Sequence, residues 1–262
     1  MTTPAARVAF PPNWPVRFGA LALVAYVAYA STILDITWAR FLVGLDHGSR
    51  FLSRMFPPDF SADKLQLLYT GMVESLQIAI LATVFGTLIS LPLGIAAARN
   101  LSPAPVAWTA RTAIVVARTF HPVIVAILFV KAVGFGALAG VLALTVASVG
   151  FVAKLVADAV EETSMKQIEA VRATGASFLG VIVMGLFPQV IPRFIGFTAY
   201  ELDSNLRNSA LVGIVGGGGI GGTLFTAFQR FDFDFVLTIV MTIIALVMIG
   251  EIVSGWMRRL FQ

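Results

Sequence analysis

The sequence predicts an all-α integral membrane protein with about six transmembrane helices. Three observations carry this. Of 262 residues, 58% are hydrophobic and only 12% charged, with a mean hydropathy of +0.90. Soluble domains carry about 25% charge, so this chain lacks the polar coat a globular surface needs in water. Apolar runs of bilayer length recur along it, separated by shorter polar stretches. Finally, there is no cysteine and only two histidines, His47 and His121, which excludes a disulfide framework, cysteine redox chemistry and a histidine-rich metal site.

Residues 1–17 hold four prolines with Arg7 and Arg17 and read as a cytoplasmic tail without a cleavable-signal pattern. The first span is 18–36. In the mixed stretch that follows, ARFLVGLDHGSRFLSRMF alternates apolar and polar residues at helical spacing, as an interfacial amphipathic helix does. The second span, 76–98, ends at Arg99-Asn100 and the turn LSPAP. The region 112–133 contains Arg118, His121, Pro122 and Lys131, so the expectation is a short surface helix and then a span from about Pro122. A turn at 134–136 leads into the fourth span, 137–156. The fifth, 188–206, is unusually polar, and the sixth is 235–256, before Arg258-Arg259. The division is therefore a tail (1–17), a first helix with its amphipathic segment (18–66), and a core (67–262).

Six spans place both termini on one side. With both inside, eleven of the 18 basic residues lie in inner segments and seven outside, the sense of the positive-inside rule. The basic residues form no stripe of the kind that binds nucleic acid.

The one strongly polar internal stretch is ADAVEETSMKQIEAVRATGAS, 157–177. Val160, Thr163/Ser164, Ile168 and Val171 recur at helical spacing. Gly175 is a natural terminator because it accepts a left-handed backbone, and a second short helix is expected after it. Such a segment is either a solvated loop or a surface for a soluble partner.

Here the sequence resembles a known family. Glu169-Ala170-Val171, Gly175 and Phe187-Pro188 are similar to the "EAA" loop of ABC-importer membrane subunits: E-A-A, three residues, G, nine residues, I-x-L-P. Val171, Gly185 and Phe187 depart from it. From about Leu67 onward, SLQIAILATVFGTLISLPLGIAAARN, FVKAVGFGALAGVLAL and FPQVIPRFIGFTAYELDSNLRNSALVGIVGGGGIGG resemble phosphonate-type permeases, and methionine-type permeases more distantly. The resemblance implies a type I importer fold in the inner membrane and uptake of phosphonate, phosphate or related phosphorus oxyanions. It further implies a coupling loop at about 157–187 with Glu169, Ala170, Val171, Gly175 and Pro188 against an ATPase dimer. ATP and magnesium would be bound by that ATPase; no cofactor and no catalysis are expected in this chain. A separate extracytoplasmic binding protein and a second permease, copy or paralogue, complete the implied assembly.

In the fifth span, Arg193, Gly196, Tyr200, Asp203 and Arg207 follow at steps of three and four, on one helical face. Glu201, Asn205 and Asn208 form an adjacent stripe. Ionisable residues in a span face a bundle interior or a watery cavity. Either Arg207 neutralises Asp203 one turn earlier in a structural network, or Tyr200, Asp203, Asn205, Arg207, Asn208 and Ser209 line a solute path. His121 reads as interfacial, Glu251 as interior or near an interface, and Asp232 and Asp234 as interfacial acids among phenylalanines.

The run GIVGGGGIGG contains G-x-G-x-x-G twice, yet it lies between spans and not after a strand, so a dinucleotide site is excluded. Gly216, Gly217, Gly218, Gly219 and Gly221 are then either a device for close helix packing or a flexible gate. Two other classes remain to weigh. An ion-coupled secondary transporter would need matched inverted repeats, and none is evident. A membrane enzyme would need a nucleophile with a nearby base, also not evident.

Overall fold

The computed structural model describes residues 14–261, with side chains as far as Trp256. Arg7, Arg258 and Arg259, read as topology determinants, therefore lie outside what is described of side chains. The chain divides into two compact units, Met1–Phe56 and Pro57–Gln262, a boundary somewhat before Leu67.

In the first unit, α1 (Trp14–Ile33) has no buried residue, and its length of about 30 Å at 1.5 Å per residue matches a bilayer core. The chain turns at Asp35, whose φ of +51° an aspartate tolerates. The Thr37 hydroxyl then accepts from the Arg40 backbone N–H and caps α2 (Trp38–Arg54). Helix α2 is the expected amphipathic element, with Trp38, Phe41, Leu45 and Leu52 exposed and Arg50 paired to Asp46 at 2.9 Å.

The second unit is built around α3 (Ala62–Ala97) and α6 (Ala137–Glu161), which pack along most of their lengths. A stripe of small buried residues runs down α3, Gly71, Ser75, Ala79, Ala82, Gly86, Ser90 and Gly94; Gly86 and Gly94 meet α6, while Gly71 and Ser75 meet Ile220 and Gly219. A Cβ on Gly86 would sit 2.4 Å from Ser148 Cβ, and one on Gly94 2.6 Å from Val156 Cβ. Between helices in lipid, where burial of apolar surface drives little, such close approach supplies the dispersion that holds them.

Between these two lie α4 (Ala104–Thr119) and α5 (Pro122–Val133), bent by 90° at Phe120-His121. This corrects the expectation of a span starting at Pro122. With 12 residues, α5 is only about 18 Å long and short of the roughly 30 Å hydrocarbon core. Only the bent pair α4–α5 taken as one has the length and apolarity of a span. The break itself follows from local chemistry: His121 is extended ahead of proline, Pro122 occupies the first helical turn, and His121 Nδ1 accepts from the Val123 N–H at 3.4 Å.

After α6 come α7 (Met165–Ala173) and a helical stretch, Phe178–Gly217, that exceeds the expected fifth span at both ends and kinks at Gly216, where φ is +101°. Its segments are α8 (Phe178–Val181), a π-helical turn (Ile182–Leu186), α9 (Phe187–Val212) and a second π turn (Gly213–Gly217). The short helix expected after Gly175 is thus the first turn of the fifth span. Pro188 explains the first π turn: it has no N–H for the carbonyl one turn back, and the Phe187 N–H reaches Ile182 O instead. α10 (Ile220–Gln229) and α11 (Phe233–Phe261) complete the chain. Among the described residues, five helices are long and apolar enough to cross a bilayer, six with the bent pair counted as one.

The glycine run is folded in against its neighbours. Gly216, Gly218 and Gly219 have φ of +101°, +79° and +73°. The Gly136 N–H donates to Gly216 O at 2.9 Å, and the Ile220 N–H to Ser75 Oγ at 2.9 Å. A Cβ on Gly140 would lie 2.3 Å from Gly217 O, and one on Gly221 1.9 Å from Ala210 O. The run is a backbone-to-backbone seam joining α3, α6 and α9 at one end of the bundle.

At that same end, Lys64 Nζ bridges Asp59 Oδ2 and Asp232 Oδ1, each at 2.7 Å, and lies 5.3 Å from the Phe235 ring centroid. The lysine hydrogen bond holds the Asp59 carboxyl below its ordinary value. At Asp232 burial pushes upward, but hydrogen bonds from Lys64 and others outweigh it and the net shift is also downward. Carboxyls with depressed folded-state values stabilise above their unfolded value and lose that contribution as pH falls through the folded one. The thermal unfolding temperature is therefore expected to drop as pH falls below about 4, and Lys64→Met to lower it at neutral pH and blunt the acid drop. Scanning fluorimetry across pH reads both; an unchanged acid drop in the variant would show the clamp contributes nothing.

Candidate functional site: a polar cavity at the helix break

The middle of the bundle holds a directed chain of polar side chains contributed by three helices. Thr83 of α3 spends its hydroxyl proton on Ala79 O at 2.7 Å, so its oxygen is free to accept from Asn205 Nδ2 at 3.0 Å. Asn205 of α9 gives its other amide proton to Ser148 Oγ of α6 at 2.8 Å, and the Ser148 hydroxyl donates to Glu201 Oε1 at 2.7 Å. Glu201, Asn205 and Ser148 are 4%, 1% and 0% exposed. Asn205 is the branch point: one amide proton goes to Thr83, and the other starts the leg through Ser148 that ends on Glu201. Ser148→Ala removes a donor and an acceptor at once and should cost about 1–2 kcal/mol, the upper range for hydrogen bonds between membrane helices. Equilibrium unfolding in mild detergent measures it, and no loss would mean the network contributes no stability.

Beside this network, the 90° break between α4 and α5 leaves an open cavity of about 240 Å³. Polar groups reach it from two sides: Arg118 from the end of α4, and Tyr200, Glu201, Ser204, Asn205 and Asn208 from α9. Gly150 of α6 makes room for α4, since a Cβ there would be 2.8 Å from Arg118 Cγ. The Tyr200 and Phe151 rings lie tilted by 32° with centroids 5.5 Å apart, and Asn208 Nδ2 donates to Ser204 Oγ at 3.3 Å. Arg118 has no ion-pair partner among the described residues.

The structure separates the six path candidates. Tyr200, Asn205 and Asn208 line the cavity. Asp203 and Arg207 pair with each other at 2.8 Å, and neither lines it. Asp203 Oδ1 is buried without a hydrogen-bond partner among the described residues and faces α11 near Gly250. Ser209 is buried and bonded to Leu206 O at 2.7 Å. Arg193 is spent on Glu162 at 2.5 Å, at the α7 end. Sequence reasoning left Arg118 out of the candidate set. Its signal was a cation inside an apolar stretch, three residues before a His-Pro break. Glu251 borders an open groove with Met248, Ile252, Gly255 and Trp256. Asp232 is claimed by Lys64.

The polar loop is at the opposite end from the glycine run. On α7, Glu169 and Ala170 are exposed and Val171 half-buried, while Ile168 is fully buried in a cluster with Val156, Val160, Val181 and Leu186. Gln189 ties the loop to α9, accepting from the Ser164 N–H at 3.0 Å. α7 stops at Ala173, and Gly175 adopts φ +79° with open space around it. Pro188 is exposed at the start of α9. The four residues Glu169, Ala170, Gly175 and Pro188 are therefore all accessible from outside the chain.

Comparison with known proteins gives consistent matches. Residues 90–262 match the family model described as binding-protein-dependent transport system inner membrane component. The phosphate-import permease protein of Mycolicibacterium smegmatis is 41% identical over 223 residues, which is 85% of this chain but only 41% of that longer protein. A phosphite transport system permease protein of Stutzerimonas stutzeri is 34% identical over 255 residues, covering 95% of this chain and 91% of the relative. Among solved structures, a methionine ABC transporter in an inward-facing conformation superposes with a TM-score of 0.68 over 78% of this chain and 100% of its own, at 24% identity. At that identity the match establishes the fold.

Proposed function

The chain belongs to the family of binding-protein-dependent transport system inner membrane components, and from that premise we propose that it is the membrane-spanning permease subunit of an ATP-driven importer of phosphorus oxyanions. The carrying observation is that relatives aligned over 85% and 95% of this chain bear the names phosphate-import and phosphite transport permease. The cavity at the helix break suits an anionic solute, having a cation with no ion-pair partner among the described residues and several hydrogen-bond donors.

In this reading the α7 end is cytoplasmic, with both termini on that side, as the excess of inner basic residues favours. Glu169, Ala170, Val171, Gly175 and Pro188 meet an ATPase dimer that binds ATP and magnesium. The glycine-run end faces an extracytoplasmic binding protein, and a second permease completes the path. Gly216, Gly217, Gly218, Gly219 and Gly221 act as the rigid seam behind that outer mouth. The fifth-span face from Tyr200 through Asn205 to Asn208 lines the route, with the Asp203–Arg207 pair supporting it.

The test is co-reconstitution in proteoliposomes with the cognate ATPase and binding protein. ATP hydrolysis and uptake are expected to be stimulated by phosphate, phosphite or methylphosphonate. Stimulation by methionine and by none of these would replace the substrate class while keeping the importer. Uptake that needs no ATPase would overturn the importer itself.

A further inference from the structure

We infer that the cavity at the α4–α5 break is a specificity site for oxyanions that still carry a P–OH, with Arg118 as the charge partner and Glu201 as the acceptor of that proton. The inference rests on the phosphorus-oxyanion reading and deepens it.

The cavity, about 240 Å³, is smaller than the roughly 300–1,000 Å³ pockets that take drug-sized ligands, which suits a small solute. It has one cation, Arg118, unpaired among the described residues, whose guanidinium offers several donors to tetrahedral oxyanion edges. Across it stands Glu201, an odd choice for a site that passes anions. The hydrogen-bond chain resolves the oddity. Ser148 Oγ accepts from Asn205 and its hydroxyl proton goes to Glu201 Oε1, while both Asn205 amide protons are spent on Thr83 and Ser148. Glu201 is thereby held with Oε1 as an acceptor, and Oε2 takes no hydrogen bond among the described residues.

An ionised carboxylate beside an anion is repulsive unless a proton lies between them. Orthophosphate carries a P–OH as monoanion and dianion, and phosphite and phosphonates carry one as monoanions. Each can donate to Glu201 while its remaining oxygens meet Arg118, Tyr200, Ser204 and Asn208. Sulfate has nearly the same size and shape and no proton to donate, so it would face Glu201 with lone pairs against lone pairs. A hydrogen bond to a charged group contributes about 1.5–3 kcal/mol, or roughly 10–100-fold in affinity. Asn205 is a positioning residue here, acting through Ser148.

The experiment is equilibrium binding of radiolabelled orthophosphate and sulfate to the permease–ATPase complex in nanodiscs, without binding protein. Wild type is expected to bind orthophosphate at least about tenfold more tightly than sulfate. Glu201→Gln, whose amide both accepts and donates, should bring the two within about threefold, mainly by tightening sulfate. Arg118→Ala should lose both ligands and Arg118→Lys should retain them. Equal wild-type affinities, an unchanged ratio in Glu201→Gln, or no orthophosphate binding would each overturn the inference. Should Glu201→Gln fail to assemble with the ATPase, the wild-type ratio and the Arg118 pair decide. Loss of the ratio while phosphate or phosphite still drives ATP hydrolysis sinks this inference alone. Failure of every phosphorus oxyanion to drive hydrolysis sinks the reading beneath it.

Discussion

Gly221→Ala is expected to prevent recovery of a folded, monodisperse protein, whereas Gly222→Ala at the next position should be tolerated. A Cβ on Gly221 would fall 1.9 Å from Ala210 O and 2.9 Å from Gly213 Cα, both backbone atoms of the fifth span that cannot rotate away. Accommodating it means prising α10 from α9 and disturbing the neighbouring contact in which Gly140 lies against Gly217 O. Overpacking typically costs about 1–3 kcal/mol where side chains can yield, and here only backbone is available, so the loss should exceed that. On Gly222 the nearest atom to a new Cβ is Gly213 O at 3.8 Å, an ordinary contact. Size-exclusion profiles and thermal unfolding of the two variants side by side decide the matter. Equal stability of Gly221→Ala and wild type would mean the seam is not this close.

Glu169→Arg combined with Gly175→Val should reduce substrate-stimulated ATP hydrolysis and uptake by at least about tenfold while the permease remains folded, tenfold corresponding to 1.4 kcal/mol. Both positions are exposed, and nothing lies within 4 Å of a Cβ at Gly175, so neither change creates a clash. The effect at Gly175 is conformational: φ of +79° costs an ordinary residue about 1–2 kcal/mol, most for a β-branched one. Gly175→Asn is the control, since asparagine tolerates that region and should keep most activity. Ile168, fully buried, anchors α7 in either case. Co-purification of the ATPase and stimulated hydrolysis are the readouts. If the double variant retains both, the coupling role of this loop is wrong.

Much of the architecture was legible before any coordinates. Helix class, amphipathic α2 and the left-handed stop at Gly175 followed from hydropathy, periodicity and the freedom of glycine at φ > 0. The family was legible from Glu169, Gly175 and Pro188 at their spacing. The bend was legible only as ambiguity, because a charged, proline-containing stretch is compatible with a surface helix and a short span or with one broken crossing. The 12-residue length of α5 rules out a span by that helix alone, and that length is set by Gly134, where the chain leaves the helix with φ +92°.

The functional face was harder to read. Helical spacing put Tyr200, Asp203 and Arg207 on one stripe and Glu201 and Asn205 on the next, but spacing cannot say which stripe meets a neighbour. That depended on α6 coming close enough, through Gly86 and Gly150, to place Ser148 against Asn205 and Arg118 against the same cavity. Hydropathy and turn chemistry are local sums over adjacent residues, so the chain alone determined which segments are helical and which family they form, while the bounds of the second and fifth spans came only with packing. Which polar groups are spent on each other and which are left for a solute is a property of pairs distant in sequence. Only tertiary packing decided that Arg207 is committed to Asp203 while Arg118, among the described residues, has no ion pair at the break.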